Sequence, residues 1–277
     1  MLSVAAFIDA GYLFPQGSTA ISGGPLPRSQ IKLNSAAALA ALKTLALEKA
    51  AGCRLLRIYW YDGSASGRLS LDQSALASAD DVKLRLGQIN SVGQQKGVDS
   101  LIVTDLIELA RNGAMSDALL LSGDEDVRIG VQIAQSFGVR VHLLGIEAAK
   151  DSQSPLLLQE ADTTSRWTKA DVDKFLTIVA RPPAFGSGAR PATRKRDAGN
   201  LEKIAVDLAA TLDDEQINKF VAYRKLNKGV PSEFDGTLLA KARDAIGRDL
   251  DSKERSNLRA GFVEAVKKRK PALFPTT

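Results

Sequence analysis

Asp9, Asp99, Asp105, Asp124 and Asp126 are the residues through which this chain of 277 residues could do chemistry. Asp9 closes the apolar run VAAFID and Asp124 closes DALLLSGD. Asp99 and Asp105 lie in KGVDSLIVTDLIELA, and Asp126 follows Asp124 in SGDED. Acids that end strand-like runs project from the carboxyl edge of a parallel sheet, where open α/β folds bind ligands. Carboxylates crowded there repel one another unless protons or a hard cation neutralise them. The pattern predicts a Mg²⁺ or Mn²⁺ site and phosphoryl or phosphodiester chemistry.

Each acid also has a plainer role. Asp9 precedes Ala10-Gly11 and could simply cap the loop that leaves the strand. Asp105 shares a helical face with Leu101 and Leu109, with Ile102 and Leu106 alongside. A carboxylate in that apolar stripe is desolvated at a cost unless a cation or several donors compensate; the alternative is an acid exposed at the rim. Asp99 stands where an N-cap belongs, so cap and ligand are equally open, and one residue can be both. Asp124 reads as a ligand, and Asp126 as a helix N-terminal partner or an indirect one through water. Ser122 and the amides after Gly123 could hold a phosphate. Asp62 also ends its strand and with Gly63 reads as an ordinary turn pair, the alternative being a neighbour of the site.

The elements needed to carry these residues are legible in the first 180 positions, where strand-length apolar runs alternate with helical stretches. VAAFID, LLRIYWYD, DALLLSGD and VRVHLLGI read as strands, and SLIVTDLIELARNG and VRIGVQIAQSFG as helices. VKLRLGQI is open between helix and strand, and ADVDKFLTIVA reads as helix-like. GYLFPQGSTAISGGPLPRSQ, with three prolines and four glycines, reads as a long loop ahead of an Ala/Leu-rich helix capped by Asn34 or Ser35. Such alternation predicts a mostly parallel sheet with right-handed crossovers. Residues 181–199 read as a basic Pro/Gly-rich linker, and 200–277 as a small all-helical C-terminal domain.

Composition narrows the chemistry. One histidine, His142, and one cysteine, Cys53, exclude an intrachain disulfide and a His-rich metal site, and argue against a Ser-His-Asp or Cys-His nucleophile. His142 reads as a core or strand-end residue and Cys53 as a small apolar filler. Hydrophobic residues make up 44% of the chain and mean hydropathy is -0.08. No apolar run reaches membrane-helix length and the N-terminus carries no basic leader, so a cytoplasmic protein away from membranes is expected. Charge is divided unevenly, with 17 Lys and Arg against 19 Asp and Glu in residues 1–180, and 20 against 13 in residues 181–277. The acids thus lie with the proposed metal site, and the bases could track a polyanion. Arg194, Lys195 and Arg196, with Lys267, Lys268, Arg269 and Lys270, are the candidate phosphate contacts; their plainer roles are an extended linker and a dipole-complementing helix end.

The ordered blocks FIDAGYL, RIYWYD, KGVDSLIVTDLIELA, DALLLSGDEDV, GVRVHLLG and LLLQEAD resemble the NYN domain, a PIN-like nuclease group that includes the LabA-like bacterial proteins. The resemblance spans about residues 2–170. It implies a PIN-like three-layer α/β/α domain whose acids bind divalent metal and hydrolyse RNA. Asp9 takes the role of the first-strand acid, Asp99 and Asp105 those of the central-helix acids, and Asp124 and Asp126 those of the SGD-x-D block. Tyr12 stands where many relatives have Asn, which puts its contact with metal or phosphate in question. Val127 replaces an aromatic residue.

The resulting expectation is a Mg²⁺- or Mn²⁺-dependent endoribonuclease acting on RNA, with DNA also open because phosphate contacts do not distinguish the sugars. The rival reading is a non-catalytic RNA-binding scaffold whose acids hold a structural ion. A phosphohydrolase using Asp9 as nucleophile is disfavoured by Gly11, which stands where such enzymes carry a second Asp. Oligomeric state is open, a homodimer included.

Overall fold

The computed structural model describes residues 2–64, 68–89, 95–147, 152–179, 194–227, 229–248 and 250–273. The chain forms two compact units. One comprises 1–67 and 76–181, the other 68–75 and 182–277. The eight residues 68–75 therefore belong to the helical unit, although the βα alternation places them inside the first domain.

In chain order the first unit contains β1 (Ser3–Asp9), α1 (Ala10–Ser22), β2 (Ile31–Leu33), α2 (Ser35–Lys49) and β3 (Arg54–Ser64). After α3 (Leu71–Ala77), which straddles the boundary, come β4 (Val82–Ile89), β5 (Gln95–Lys96), α4 (Val98–Arg111), β6 (Asp117–Leu121) and α5 (Arg128–Ser136). β7 (Arg140–Ile146), α6 (Pro155–Glu160), β8 (Thr163–Trp167), α7 (Lys169–Val172) and β9 (Leu176–Ile178) complete it. The central sheet has seven strands in the order β5-β4-β3-β1-β6-β7-β8, and β2 pairs with β9 separately. All neighbours in the central sheet are parallel except β4 and β5. This is the α/β sheet of a PIN-like fold, followed by helices.

Both faces of the sheet are covered, which is why its strands are nearly continuous apolar runs. Val4, Ala6, Ile8 and Trp60 join the core on the α1 and α2 side. Ala5, Phe7, Tyr59 and Tyr61 join the core on the α4 and α5 side. The period-two alternation assigns Asp9 to the second face, with Phe7. Phe7, Tyr59 and Tyr61 stack there, with centroids 5.4 Å apart for Phe7–Tyr59 and 6.4 Å for Tyr59–Tyr61.

Several local expectations give way to the structure. The Pro- and Gly-rich segment after β1 is not a loop throughout, because Ala10–Ser22 is helical despite Pro15. Asp9 caps this helix and Gly23, at φ 84, ends it. Ser18 Oγ and Thr19 Oγ1 donate to the Pro15 carbonyl at 3.0 and 2.8 Å. Gly17 lets the helix lie close to Val172 and Leu176, where a Cβ would collide. Asp62 and Gly63 continue β3 and do not turn. VKLRLGQI is a strand, and ADVDKFLTIVA divides between α7 and β9.

His142 is a core residue, 2% exposed. Its Nδ1 lies 2.7 Å from Thr163 Oγ1 and its Nε2 3.1 Å from Asp117 Oδ1. Asp117 also accepts from Ser116 Oγ at 2.8 Å and Cys53 Sγ at 3.4 Å. These bonds hold the Asp117 carboxyl below its usual range despite desolvation, which acts the other way and is the largest single influence. This network lies at the amino end of β6, away from the carboxyl edge where Asp9 ends β1.

The helical unit contains α8 (Arg194–Ala210), α9 (Asp214–Leu226), α10 (Ser232–Ile246) and α11 (Ser252–Arg269). Helix thus begins at Arg194, inside the expected linker. Side chains of Arg194, Lys195 and Arg196 lie outside the described residues, as does the segment 180–193. Of the basic run at the end of α11, Lys267 pairs with Glu264 at 2.8 Å and Lys270 with Asp214 at 2.8 Å. Arg269 Nη1 donates to the Ala209 and Leu212 carbonyls at 2.7 and 2.6 Å, closing the end of α8. These contacts serve the fold. No helix among the described residues is long and apolar enough to cross a membrane.

Asp235 organises the unit's polar interior. It receives Arg259 at 2.6 and 2.8 Å and Arg68 at 3.1 Å, and so ties the 68–75 segment to α10 and α11. Removing one partner of such a buried pair strands the others. Asp235→Ala is expected to cost about 3 kcal/mol of stability, measurable by urea unfolding, with the first unit's sheet signal least affected.

Candidate functional site

The site forms at the point where the sheet's connectivity reverses. β1 is flanked by β3 on one side and β6 on the other, so the loops after β1 and β6 part in opposite directions at their carboxyl ends. This crevice is the usual ligand position of an open α/β sheet. Asp9 ends β1 on one side of it, and Ser122-Gly123-Asp124 follows β6 on the other.

Asp9 is 6% exposed. Its Oδ1 accepts the Tyr12 amide at 3.3 Å and its Oδ2 the Ser122 hydroxyl at 3.4 Å. Ser122 Oγ in turn accepts the Asp124 amide at 3.3 Å, and Asp124 Oδ1 accepts the Asp126 amide at 3.1 Å. A single run of hydrogen bonds therefore joins both sides of the crevice. Ser122 is completely buried and its hydroxyl is committed within this run, so it fixes the acids and does not face a phosphate.

Tyr12 is likewise withdrawn from the surface, at 7% exposure. Its hydroxyl accepts the Ile146 amide at 3.2 Å and lies 3.2 Å from Ser152 Oγ. Its ring packs on Gly123, where any Cβ would overlap both the ring and the Ser152 carbonyl. Gln153 Nε2 donates to the Ser122 and Leu144 carbonyls at 2.9 and 3.3 Å, and the Ser154 amide to the Gly123 carbonyl at 2.9 Å. The aromatic residue at position 12 is thus a latch for the loop bearing Asp124. Gln153 was not legible as part of the site, since an isolated glutamine in a loop carries no pattern.

Asp99 is not the N-cap of α4. Gly97, at φ 82, occupies that position, and Asp99 sits in the first turn, half-buried. An acid there is favoured by the helix dipole, but desolvation, then Asp124 and Asp126, push its carboxyl above the usual range. Desolvation and then Asp99 push Asp9 up to about 6, against the opposing hydrogen bonds from Tyr12, Gly11 and Ser122. Asp9, Asp99, Asp124 and Asp126 are therefore one electrostatic group. Asp124 and Asp126 are its exposed members.

The NYN domain model matches residues 3–168. The chain belongs to the NYN domain family. It is also similar to the uncharacterized protein y4oD of Sinorhizobium fredii (strain NBRC 101917 / NGR234), with 52% identity over 212 residues covering 73% of this chain and 99% of that protein. The NYN family is a PIN-like nuclease group, which implies a nucleic acid substrate.

Asp105 lies on the same sheet face of the NYN domain but is satisfied differently. It is 8% exposed, and Arg85 grips it with Nε to Oδ2 at 2.9 Å and Nη2 to Oδ1 at 2.8 Å. Tyr61 donates its hydroxyl to Oδ2 at 2.9 Å. Burial, then Asp105, push the Tyr61 hydroxyl far above its usual range, so it remains a donor. The cation that offsets the desolvation of Asp105 is thus a guanidinium from β4. The pairing of Asp105 with Arg85 and Tyr61 was not legible in the sequence because the partners of a helix residue lie on strands remote in the chain.

Among the described residues, no three His, Cys, Asp or Glu side chains form a ready-made metal cage. The donor set still suits a hard cation. Mg²⁺ commonly takes one or two carboxylates, keeps several waters and gains further oxygens from substrate phosphates. The mutual repulsion within the Asp9 group is the interaction that such an ion would relieve.

Ionised Asp9 opposes folding. Its folded-state value of about 6 exceeds the ordinary 3.8, so its contribution is most favourable when protonated and is lost as pH rises through that interval. The penalty near neutrality is about 3 kcal/mol. Asp9→Asn keeps an N-cap for α1 and is expected to gain about 1–3 kcal/mol at pH above 7 in EDTA. The gain should shrink toward zero as pH falls below 4. Urea unfolding across pH checks this, and an equal difference at both ends of the range would contradict it.

Proposed function

We propose that this protein is a divalent-metal-dependent endoribonuclease whose centre is Asp9, Asp99 and Asp124, with Asp126 beside them. The observation that carries the reading is the electrostatic joining of these four acids at the topological switch point of a NYN domain. Asp9, Asp99 and Asp124 would hold the ion. When bound, Mg²⁺ or Mn²⁺ supplies a more acidic water and offsets charge on the phosphoryl oxygens.

The protein's own groups then have separate tasks. Asp9 is the buried anchor, kept in place by Ser122 and the Tyr12 amide. Asp124 is presented by a loop pinned through Gly123, Gln153 and Ser154. Asp126, exposed next to Asp124, orients the attacking water. In-line attack of water on phosphorus breaks the bond to the 3′ oxygen, leaving a 5′ phosphate and a 3′ hydroxyl. Asp105 serves elsewhere, since both its oxygens are engaged by Arg85 and Tyr61.

The test is cleavage of a labelled structured RNA with Mn²⁺, Mg²⁺ or EDTA, beside Asp9→Asn and Asp124→Asn. Metal-dependent cutting should fall at least about a hundredfold in each folded variant. The matching DNA strand, run in parallel, reads sugar preference. Cutting unchanged in both variants would sink the assignment. A folded wild type that binds RNA but cuts none would favour the non-catalytic scaffold.

A further inference from the structure

The register of the sheet places Asp9, Tyr61 and Arg85 opposite one another on β1, β3 and β4. Residues opposite in adjacent parallel strands share a face, so the three side chains form a lateral row at the carboxyl edge. Two strand spacings separate the backbones of Asp9 and Arg85 by about 10 Å. One end of the row is a buried acid that needs a cation, and the other is a cation with capacity to spare.

A guanidinium has five N–H groups. Asp105 takes one from Nε and one from Nη2 of Arg85, leaving Nη1 and the second Nη2 proton. Among the described residues no other hydrogen-bond acceptor meets them, and the Arg85 side chain is 38% exposed. Asp105 is only 12% exposed at its side chain, and Tyr61 supports it from behind. A bidentate pair of this kind fixes the plane of the guanidinium, and the N–H groups it leaves on this part-exposed side chain suit an anionic oxygen. Lys83 and Arg57 lie on the same face and are exposed, with Arg57 5.7 Å from the Tyr59 ring centroid. Positive charge therefore continues from Arg85 away from the acids.

We propose that Arg85 contacts a backbone phosphate of an RNA strand beside the acid group, and that Asp105 and Tyr61 are its positioning residues. The proposal rests on RNA being the substrate, as argued above. It also gives the buried acid of α4 a function distinct from holding metal. The four acids repel a polyanion, and a preoriented guanidinium on the same row counters that repulsion where the strand must pass.

The test is fluorescence anisotropy of a labelled single-stranded RNA with the full chain in EDTA, across a KCl series. Arg85→Gln/Asp105→Asn removes both charges while preserving an amide partner for Tyr61. Folded by circular dichroism, it should bind about tenfold more weakly. Its salt slope should be smaller by about 0.7, the loss of one phosphate contact on a single strand. Asp105→Asn alone should weaken binding and keep the slope, because the cation remains. Wild-type affinity and slope in the folded double variant would overturn the proposal, as would a wild-type chain that binds no RNA. If the double variant does not fold, Arg85→Lys decides: weaker binding with an unchanged slope supports the fork, and unchanged affinity overturns it. The assay reads binding without metal, so a failure to cleave RNA overturns the nuclease reading and leaves this result standing.

Discussion

The burial of one carboxylate at the end of the central strand governs this NYN domain. Asp9 terminates β1, caps α1 and receives Ser122 from across the switch point, all with a single side chain. Those hydrogen bonds favour its charged form, yet desolvation and Asp99 prevail. The surrounding residues act as a rigid frame for an unfavourable charge. Tyr12, Gly123 and Gln153 prevent the loop after β6 from moving away, although repulsion among the acids would be relieved if it did.

Two ways of accommodating a buried acid stand side by side on the same sheet face. Asp105 has an internal counter-ion and two oxygens in use, and its geometry is complete within the protein. The Asp9 group has donors for some of its oxygens but no counter-ion among the contacts described. A finished ion pair suits a part that must hold position, whereas an unfinished one suits a part that must accept something from outside. The contrast separates the surroundings of acids that look alike in the chain.

Much of this was legible in the sequence. The parallel sheet followed from strand-length apolar runs separated by helical ones, and Asp9 stood out because an acid ended the first such run. The helix α1 was hidden because proline and glycine counts do not register a cap at Asp9 or the tolerance of Pro15 within the helix. Asp99 was misplaced by two positions relative to the cap, since Gly97 supplies a left-handed residue that no side-chain pattern announces. The apolar stripe of α4 correctly signalled that Asp105 needs compensation. Its source could not be read, because register between β3 and β4 brings Arg85 and Tyr61 together. The commitment of the Tyr12 hydroxyl to Ser152 and Ile146 depends on the same kind of long-range contact.

The chain leaves the first unit after residue 67, contributes eight residues to the helical unit, and returns. Leu71 belongs to the apolar core of the helical unit, and Arg68 reaches Asp235 within it. One cut near residue 181 therefore does not separate two self-sufficient parts. It takes away the partners of a segment that remains behind, exposing Leu71 and removing the Asp235 partner of Arg68. A gene fusion or deletion with a single breakpoint there would inherit that defect.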